Sequence, residues 1–157
     1  MKWCILFFGM FFTLVETNAQ GNERMSKAET LVEHALDQLG MPYKWGTSNP
    51  FVSFDCSGFA SYVYGTINVD APRSSSAYAL AGTEVTMDEA RKGDCMVFTG
   101  TEEGSITPGH VGIIISNDEK GIHFIHCSSS KKHFGVVLTH YESSGYPKRF
   151  HSVRRLF

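Results

Sequence analysis

The sequence predicts an α+β domain with N-terminal helices packed on one face of an antiparallel β-sheet. Two features of the 157-residue chain carry this prediction. As far as Gly93, apolar side chains recur at helical spacing behind Ser-x-x-Glu, Asp or Thr-x-x-Glu starts. From Asp94 onward they gather in short runs bounded by turn residues. Helices first and strands afterwards belong in separate layers around one core.

The chain opens as an export leader: Lys2, an apolar run from Trp3 to Val15, and the small residues Thr17-Asn18-Ala19 before an expected cut. The run is shorter than the roughly 20 apolar residues of a membrane span, so no stable insertion is expected once the leader is removed. Cys4 lies within the leader without the flanks of a lipid site. Residues 1–19 are therefore expected as signal peptide and 20–157 as one domain, exported to the periplasm or secreted, and monomeric.

Ser26-Lys27-Ala28-Glu29 has the form of a capping box, and Leu31, Val32, Ala35, Leu36 and Leu39 follow on one helical face until Gly40. A helix from Lys27 to Leu39 is expected. Met41-Pro42 stops it, and Tyr43 to Phe54 reads as an aromatic-rich loop in which Trp45 is expected as a core aromatic beside a turn. Asp55 caps the next helix, whose stripe Phe59, Ala60, Val63 and Tyr64 faces the core and which ends near Gly65. Asp70 to Gly82, with Pro72 and Ser74-Ser75-Ser76, reads as a surface connection. Thr86-Met87-Asp88-Glu89 is a second capping box, for a short helix closing near Gly93. Strands are expected over Asp94–Thr99, His110–Ser116, Ile122–Ser128, Gly135–His140 and Phe150–Leu156, in an antiparallel meander.

Chemistry concentrates at Cys56 and His110. A thiol at a helix start is favoured as thiolate by the helix terminus and by a nearby imidazolium, and the thiolate is the nucleophile. His110 opens an apolar strand, in Gly109-His110-Val111-Gly112. A three-residue loop Asn117-Asp118-Glu119 would pair Ser116 with Lys120 and set His110 directly opposite His126, close enough for a hydrogen bond that orients the base. A slip of one residue would bring His123 and Cys127 to that face instead. Spacing alone leaves both registers open. Beyond the leader the cysteines are Cys56, Cys95 and Cys127, an odd number, so at least one thiol is free.

These motifs resemble the NlpC family of bacterial cell-wall cysteine endopeptidases, which have a papain-like fold. The matching pieces are Tyr43-Lys44-Trp45-Gly46, Phe54-Asp55-Cys56-Ser57-Gly58-Phe59, Pro72-Arg73, Gly93-Asp94 with Phe98, Gly109-His110-Val111-Gly112-Ile113 and Phe124-Ile125-His126-Cys127-Ser128. The resemblance implies Cys56 as nucleophile at a helix N-terminus, His110 as base on a strand, and His126 as the residue that orients it. It implies that Tyr43 points toward the thiol, and that Asp55, Ser57 and Ser74 lie where substrate binds; Arg73 reads equally as a substrate contact or as an ion pair inside the fold. The implied reaction is hydrolysis of an amide in a peptidoglycan stem peptide or muropeptide fragment, commonly between D-glutamate and a diamino acid. No metal or organic cofactor enters that scheme. Family members acting on a free amino end carry Asp where this chain has Ser74, and often Gln where it has Tyr78, so selectivity is expected to differ.

A related thiol amidase that cuts the sugar-to-peptide bond, or an exported cell-wall toxin, uses the same machinery. Metal binding through His123, His126 and Cys127 lacks the paired Cys-x-x-Cys or helical His spacing of zinc sites. A net charge of −2 with no basic stripe argues against nucleic acid as partner.

Overall fold

The structure, a computed structural model, describes the backbone of residues 6–157 and side chains from Gly21 onward. The leader expected over residues 1–19 lies outside the fully described part. Among the described residues no helix is long and apolar enough to cross a membrane.

Helix α1 runs over Leu6–Leu36, so the expected start at Lys27 is not an end at all. Ser26 lies inside the helix, where its carbonyl accepts from Thr30 Oγ1 at 3.0 Å, and it caps nothing. The helix also stops short of Leu39. The Gly40 N–H donates to Val136 O at 2.9 Å, and Met41 O accepts from Val136 N at 2.9 Å, so the chain leaves the helix to pair with a strand. Gly40 adopts φ +81°, a conformation that glycine reaches without strain. Leu31 and Ala35 are the fully buried face of α1.

The Tyr43–Phe54 loop contains a small antiparallel pair, β1 (Ser48–Asn49) and β2 (Ser53–Phe54). Helix α2 (Cys56–Gly65) follows as expected, with Asp55 as its N-cap. The Asp70–Gly82 segment is more than a surface connection, because it holds the single helical turn α3 (Ser75–Tyr78) and buries Tyr78 completely. The helix expected after Thr86 does not form. Both box hydrogen bonds are made, Glu89 N to Thr86 Oγ1 at 3.3 Å and Thr86 N to Glu89 Oε2 at 3.1 Å. The next donors go elsewhere: Arg91 N to the Asp94 carboxylate at 2.9 Å and Gly93 N to Ile114 O at 2.9 Å.

The remaining strands are β3 (Thr83–Val85), β4 (Cys95–Thr99), β5 (Pro108–Asp118), β6 (Gly121–Ser129), β7 (Phe134–His140) and β8 (Phe150–Arg155). They form one antiparallel sheet in the order β3-β8-β4-β5-β6-β7. All five expected strands are present, but only β4 to β7 make a meander. After β7 the chain crosses back over the sheet through a 3-10 turn, Tyr146–Arg149, and β8 pairs with β4 and the unexpected β3.

Each face of the sheet carries a core. Val97, Val111, Ile113, Ile125 and Cys127 pack against Leu31 of α1 and Phe59 and Val63 of α2. On the other face Met96, Phe98, Ile114, Phe124 and Val153 pack beneath Tyr141, Tyr146 and Phe150 of the returning segment. Strand alternation puts His110 and His126 on this second face, away from the helices.

Candidate active site

Asp55 sets the start of α2 and with it the position of the thiol. Its Oδ1 accepts from Gly58 N at 2.7 Å, as an N-cap carboxylate does, and from Arg73 Nη1 at 2.8 Å. Its Oδ2 accepts from Gly46 N at 2.8 Å and Arg73 Nη2 at 2.9 Å. Ser57 Oγ donates to Arg73 O at 2.8 Å, and Arg73 Nη2 also reaches Thr47 O at 2.9 Å. Arg73 therefore ties the cap, the Tyr43–Phe54 loop and the Pro72 segment together. The Arg73 hydrogen bonds and charge, with the Gly58 N–H, outweigh burial and hold the Asp55 carboxyl below its usual range. Cys56 then occupies the first helical position, and its N–H has no intrahelical acceptor.

The two histidines reach one another by a register different from the expected one. The β5–β6 hairpin turns through two residues, with Asp118 opposite Gly121, and Ser116 pairs with His123 rather than Lys120. A bulge between Ile114 and Ser116 shifts the ladder once more, giving Ile114 opposite Phe124 and Ile113 opposite Ile125. Continued one step, this register sets Gly112 across from His126, which makes His110 and His126 diagonal neighbours on one face. The even-length turn alone would have reversed the faces, and the bulge restores them. His123 and Cys127 go to the other side. The alternative trio of His123, His126 and Cys127 is thus divided between the two faces of β6.

A diagonal pair is further apart than a direct one, and Gly112 makes room for it. A β-carbon at Gly112 would sit 2.6 Å from Phe124 Cδ2 and 3.1 Å from His126 Cβ. Both neighbours are fully packed. Gly112→Val is therefore expected to displace the His126 ring, lowering turnover about 100-fold and stability by about 1–3 kcal/mol. Turnover and chemical denaturation of the variant, with Gly112→Ala as the milder step, measure both effects.

His110 Nε2 lies 2.9 Å from His126 Nδ1, and His126 Nε2 lies 3.0 Å from Thr139 Oγ1. For His110 to offer a lone pair at Nδ1, its proton must be on Nε2 and be donated to His126 Nδ1. His126 then carries its own proton on Nε2 and donates to Thr139 Oγ1. The chain of hydrogen bonds fixes both tautomers. Tyr146, from the returning segment, places its hydroxyl 3.4 Å from each of the two facing nitrogens, and its ring stacks on His110 with centroids 5.6 Å apart. Neither Thr139 nor Tyr146 has a motif around it in the sequence.

The charge state of the resting pair differs from the sequence expectation. Cys56 is 6% exposed, and burial, reinforced by the Asp55 charge, pushes its thiol above the usual 9.0. The Ser75 hydroxyl, 3.4 Å from Sγ, and the Ser57 and Val111 N–H groups oppose this. Burial, then His126, then Arg149 push the His110 imidazole well below 6.5. Both shifts favour a thiol and a neutral imidazole in the free site.

His126 is pushed down to about 3, by burial first and then by Arg149 and His133. In the unfolded chain both imidazoles take up protons near 6.5, while the folded state excludes them. The stability they confer is whole above pH 6.5 and is lost as pH falls toward 3, at up to about 1.4 kcal/mol per pH unit for each ring. Thermal unfolding followed from pH 7 to 4 is expected to show this fall, with a shallower slope for His126→Gln.

Cys56 lies between two openings. A cavity of about 370 Å³ is lined by Cys56, His110, Tyr43, Trp45, Tyr146 and Arg149. A groove of about 490 Å³ on the other side is lined by Cys56, Asp55, Ser57, Arg73, Ser74 and Trp45. Every residue singled out around the thiol therefore borders one of the two openings, except His126, which backs His110. Burial, followed by the nearby Cys56 and Asp55, pushes the Tyr43 hydroxyl up to about 12, so it is a donor at neutral pH. Trp45 is not a core residue. It is 83% exposed and stands where the two openings meet. Ser74 caps α3, accepting from Ala77 N at 3.4 Å. Cys95 and Cys127 are buried free thiols, and Cys127 Sγ lies 3.3 Å from Phe54 O.

With this geometry in place, the chain is similar to known proteins along most of its length. The model of the NlpC/P60 family matches residues 40–155. The chain is 31% identical over 150 residues to the gamma-D-glutamyl-L-lysine dipeptidyl-peptidase of Bacillus subtilis, covering 96% of this chain and 48% of that protein. It is 38% identical over 89 residues to the bifunctional muramidase/DL-endopeptidase CwlT of the same organism, covering 57% and 27%. The chain thus spans about a quarter to a half of the length of these relatives. An NlpC/P60 family protein from Bacillus cereus has a similar structure, with a TM-score of 0.71 at 26% identity over 82% of this chain and 40% of that one.

Proposed function

This chain belongs to the NlpC/P60 family, and we propose that it is a cysteine peptidase that hydrolyses an amide of the peptidoglycan stem peptide, between D-glutamate and the diamino acid that follows. The observation that carries the reading is that Cys56, at the head of α2, and His110 line one cavity, with His126 behind His110 and hydrogen-bonded to it so that one nitrogen of His110 is left free. The relative matched along nearly the whole chain is named for the γ-D-glutamyl-L-lysine bond.

Cys56 Sγ attacks the carbonyl carbon as its proton passes to His110 Nδ1, and the new positive charge rests against His126 Nδ1. The carbonyl oxygen becomes an oxyanion, held by the Cys56 N–H and the Tyr43 hydroxyl. The C–N bond breaks as His110 returns the proton to the leaving amine. Water then adds to the thioester, giving a proton to His110, and the carbon–sulfur bond breaks to release the acid and restore the thiol. The apolar N-terminal segment fits export to this substrate.

The test is digestion of purified muropeptides with identification of products by mass. A new D-glutamyl carboxyl end and a new diamino-acid amine are the expected products. A free glycan and an intact stem peptide would instead identify a sugar-to-peptide amidase.

A further inference from the structure

We propose that the cavity beside the histidine pair is a subsite for a carboxylate on the leaving-group side of the peptide, with Arg149 as its principal ligand and Lys132 at its rim. The proposal rests on the peptidase reading and specifies which substrates that site takes.

The side of the cleft follows from the chemistry. The general acid must stand beside the amine it protonates, so the leaving group lies on the His110 side of the sulfur. His110 lines the 370 Å³ cavity, whereas the groove beyond Asp55 is bordered by Pro108 and Gly109 and not by the imidazole. The 370 Å³ cavity continues into a second one of about 670 Å³, and the two share Thr101, Ser128, Ser130, Tyr146 and Arg149 as walls. The second cavity adds Lys132, His133 and several hydroxyls, and no aspartate or glutamate lines it. Glu102, an exposed residue, is the carboxylate of the first.

Arg149 is built into this wall. Its Nε donates to Thr99 O at 3.1 Å and Gly100 O at 3.2 Å, its Nη2 also donates to Thr99 O, and its guanidinium lies 5.5 Å from the centroid of the Tyr146 ring. These are neutral partners. Among the described residues no carboxylate pairs with Arg149, and Nη1 has no hydrogen-bond acceptor. Arg154 and Arg155, by contrast, each have an ion-pair partner, at 2.9 Å and 2.8 Å.

A fixed, unpaired cation beside a base that must become an imidazolium opposes the reaction, and Arg149 is among the charges that hold His110 neutral. A substrate carboxylate on Arg149 cancels that field at the moment of proton transfer, so such a substrate is both bound and activated. A charge-assisted contact of this kind is strong enough to set selectivity.

Two peptides test this, L-Ala-γ-D-Glu-L-Lys with a free terminal carboxylate and the same peptide as its terminal amide. Turnover is measured with the unmodified protein and binding with Cys56→Ala. The acid is expected to be preferred about tenfold or more in both measurements. Arg149→Gln is expected to flatten the preference and to move the acid limb of kcat/KM to higher pH, since the imidazole of the free protein is then easier to protonate. Lys132→Gln reduces the preference in part without touching the Thr99 and Gly100 contacts, and Lys148→Gln, outside both cavities, leaves it intact. Equal turnover of acid and amide by the unmodified protein, with equal binding by Cys56→Ala, would overturn the subsite. A binding preference without turnover would overturn the peptidase reading and leave the subsite standing.

Discussion

Replacing Cys56 by alanine is expected to reduce hydrolysis of stem peptides by about 10⁴-fold or more, because no other group in the cleft can form the acyl intermediate. The fold should survive the change. The thiol's polar contacts are weak ones, to Ser75 Oγ at 3.4 Å and to the Ser57 and Val111 N–H groups, while the helix start is held by the Asp55 hydrogen bonds. Unchanged thermal unfolding together with lost product, followed by mass spectrometry, is the expected pair of results. Equal product from both proteins would remove Cys56 from the mechanism.

His110→Gln is expected to cost about 10³–10⁴-fold in kcat. The amide can still donate to His126 Nδ1, but it cannot accept and return the sulfur's proton. Because the resting sulfur is a neutral thiol, losing the base also loses the route to the nucleophile. The two positions act as one unit, so Cys56→Ala combined with His110→Gln should be scarcely slower than Cys56→Ala alone. A double variant slower by the product of the two factors would show that sulfur and imidazole work in separate steps.

Much of this site was legible in the chain because its signals are local. Asp55 before an apolar helical stripe marks the start of α2, and alternation in apolar runs marks the five expected strands. The register of the histidine pair was not local. It depends on a two-residue turn and a bulge at Ile115, which cancel in parity, and nothing in Ile113-Ile114-Ile115-Ser116 marks the bulge. The failed helix after Thr86 has a similar origin. Its capping hydrogen bonds form, but its later donors are captured by the nearby Asp94 side chain and by Ile114, the latter a contact that exists only once the sheet is in place. Trp45 departs from the expectation of a core aromatic because aromatic character does not distinguish core from cleft wall. Thr139 reaches His126 through the pairing of β7 with β6, and Tyr146 and Arg149 are brought to the histidines only by the return of the chain across the sheet.

That return has a further consequence. The sulfur belongs to α2, on one face of the sheet, whereas the imidazoles lie on the other face, against Tyr146 of the returning segment. The hydrogen bonds that orient the base are therefore complete with β7, whereas the Tyr146 ring that stacks on His110 comes only with the segment after it. On the reading proposed above, the pocket around the base is closed only when Tyr146–Arg149 docks across the sheet.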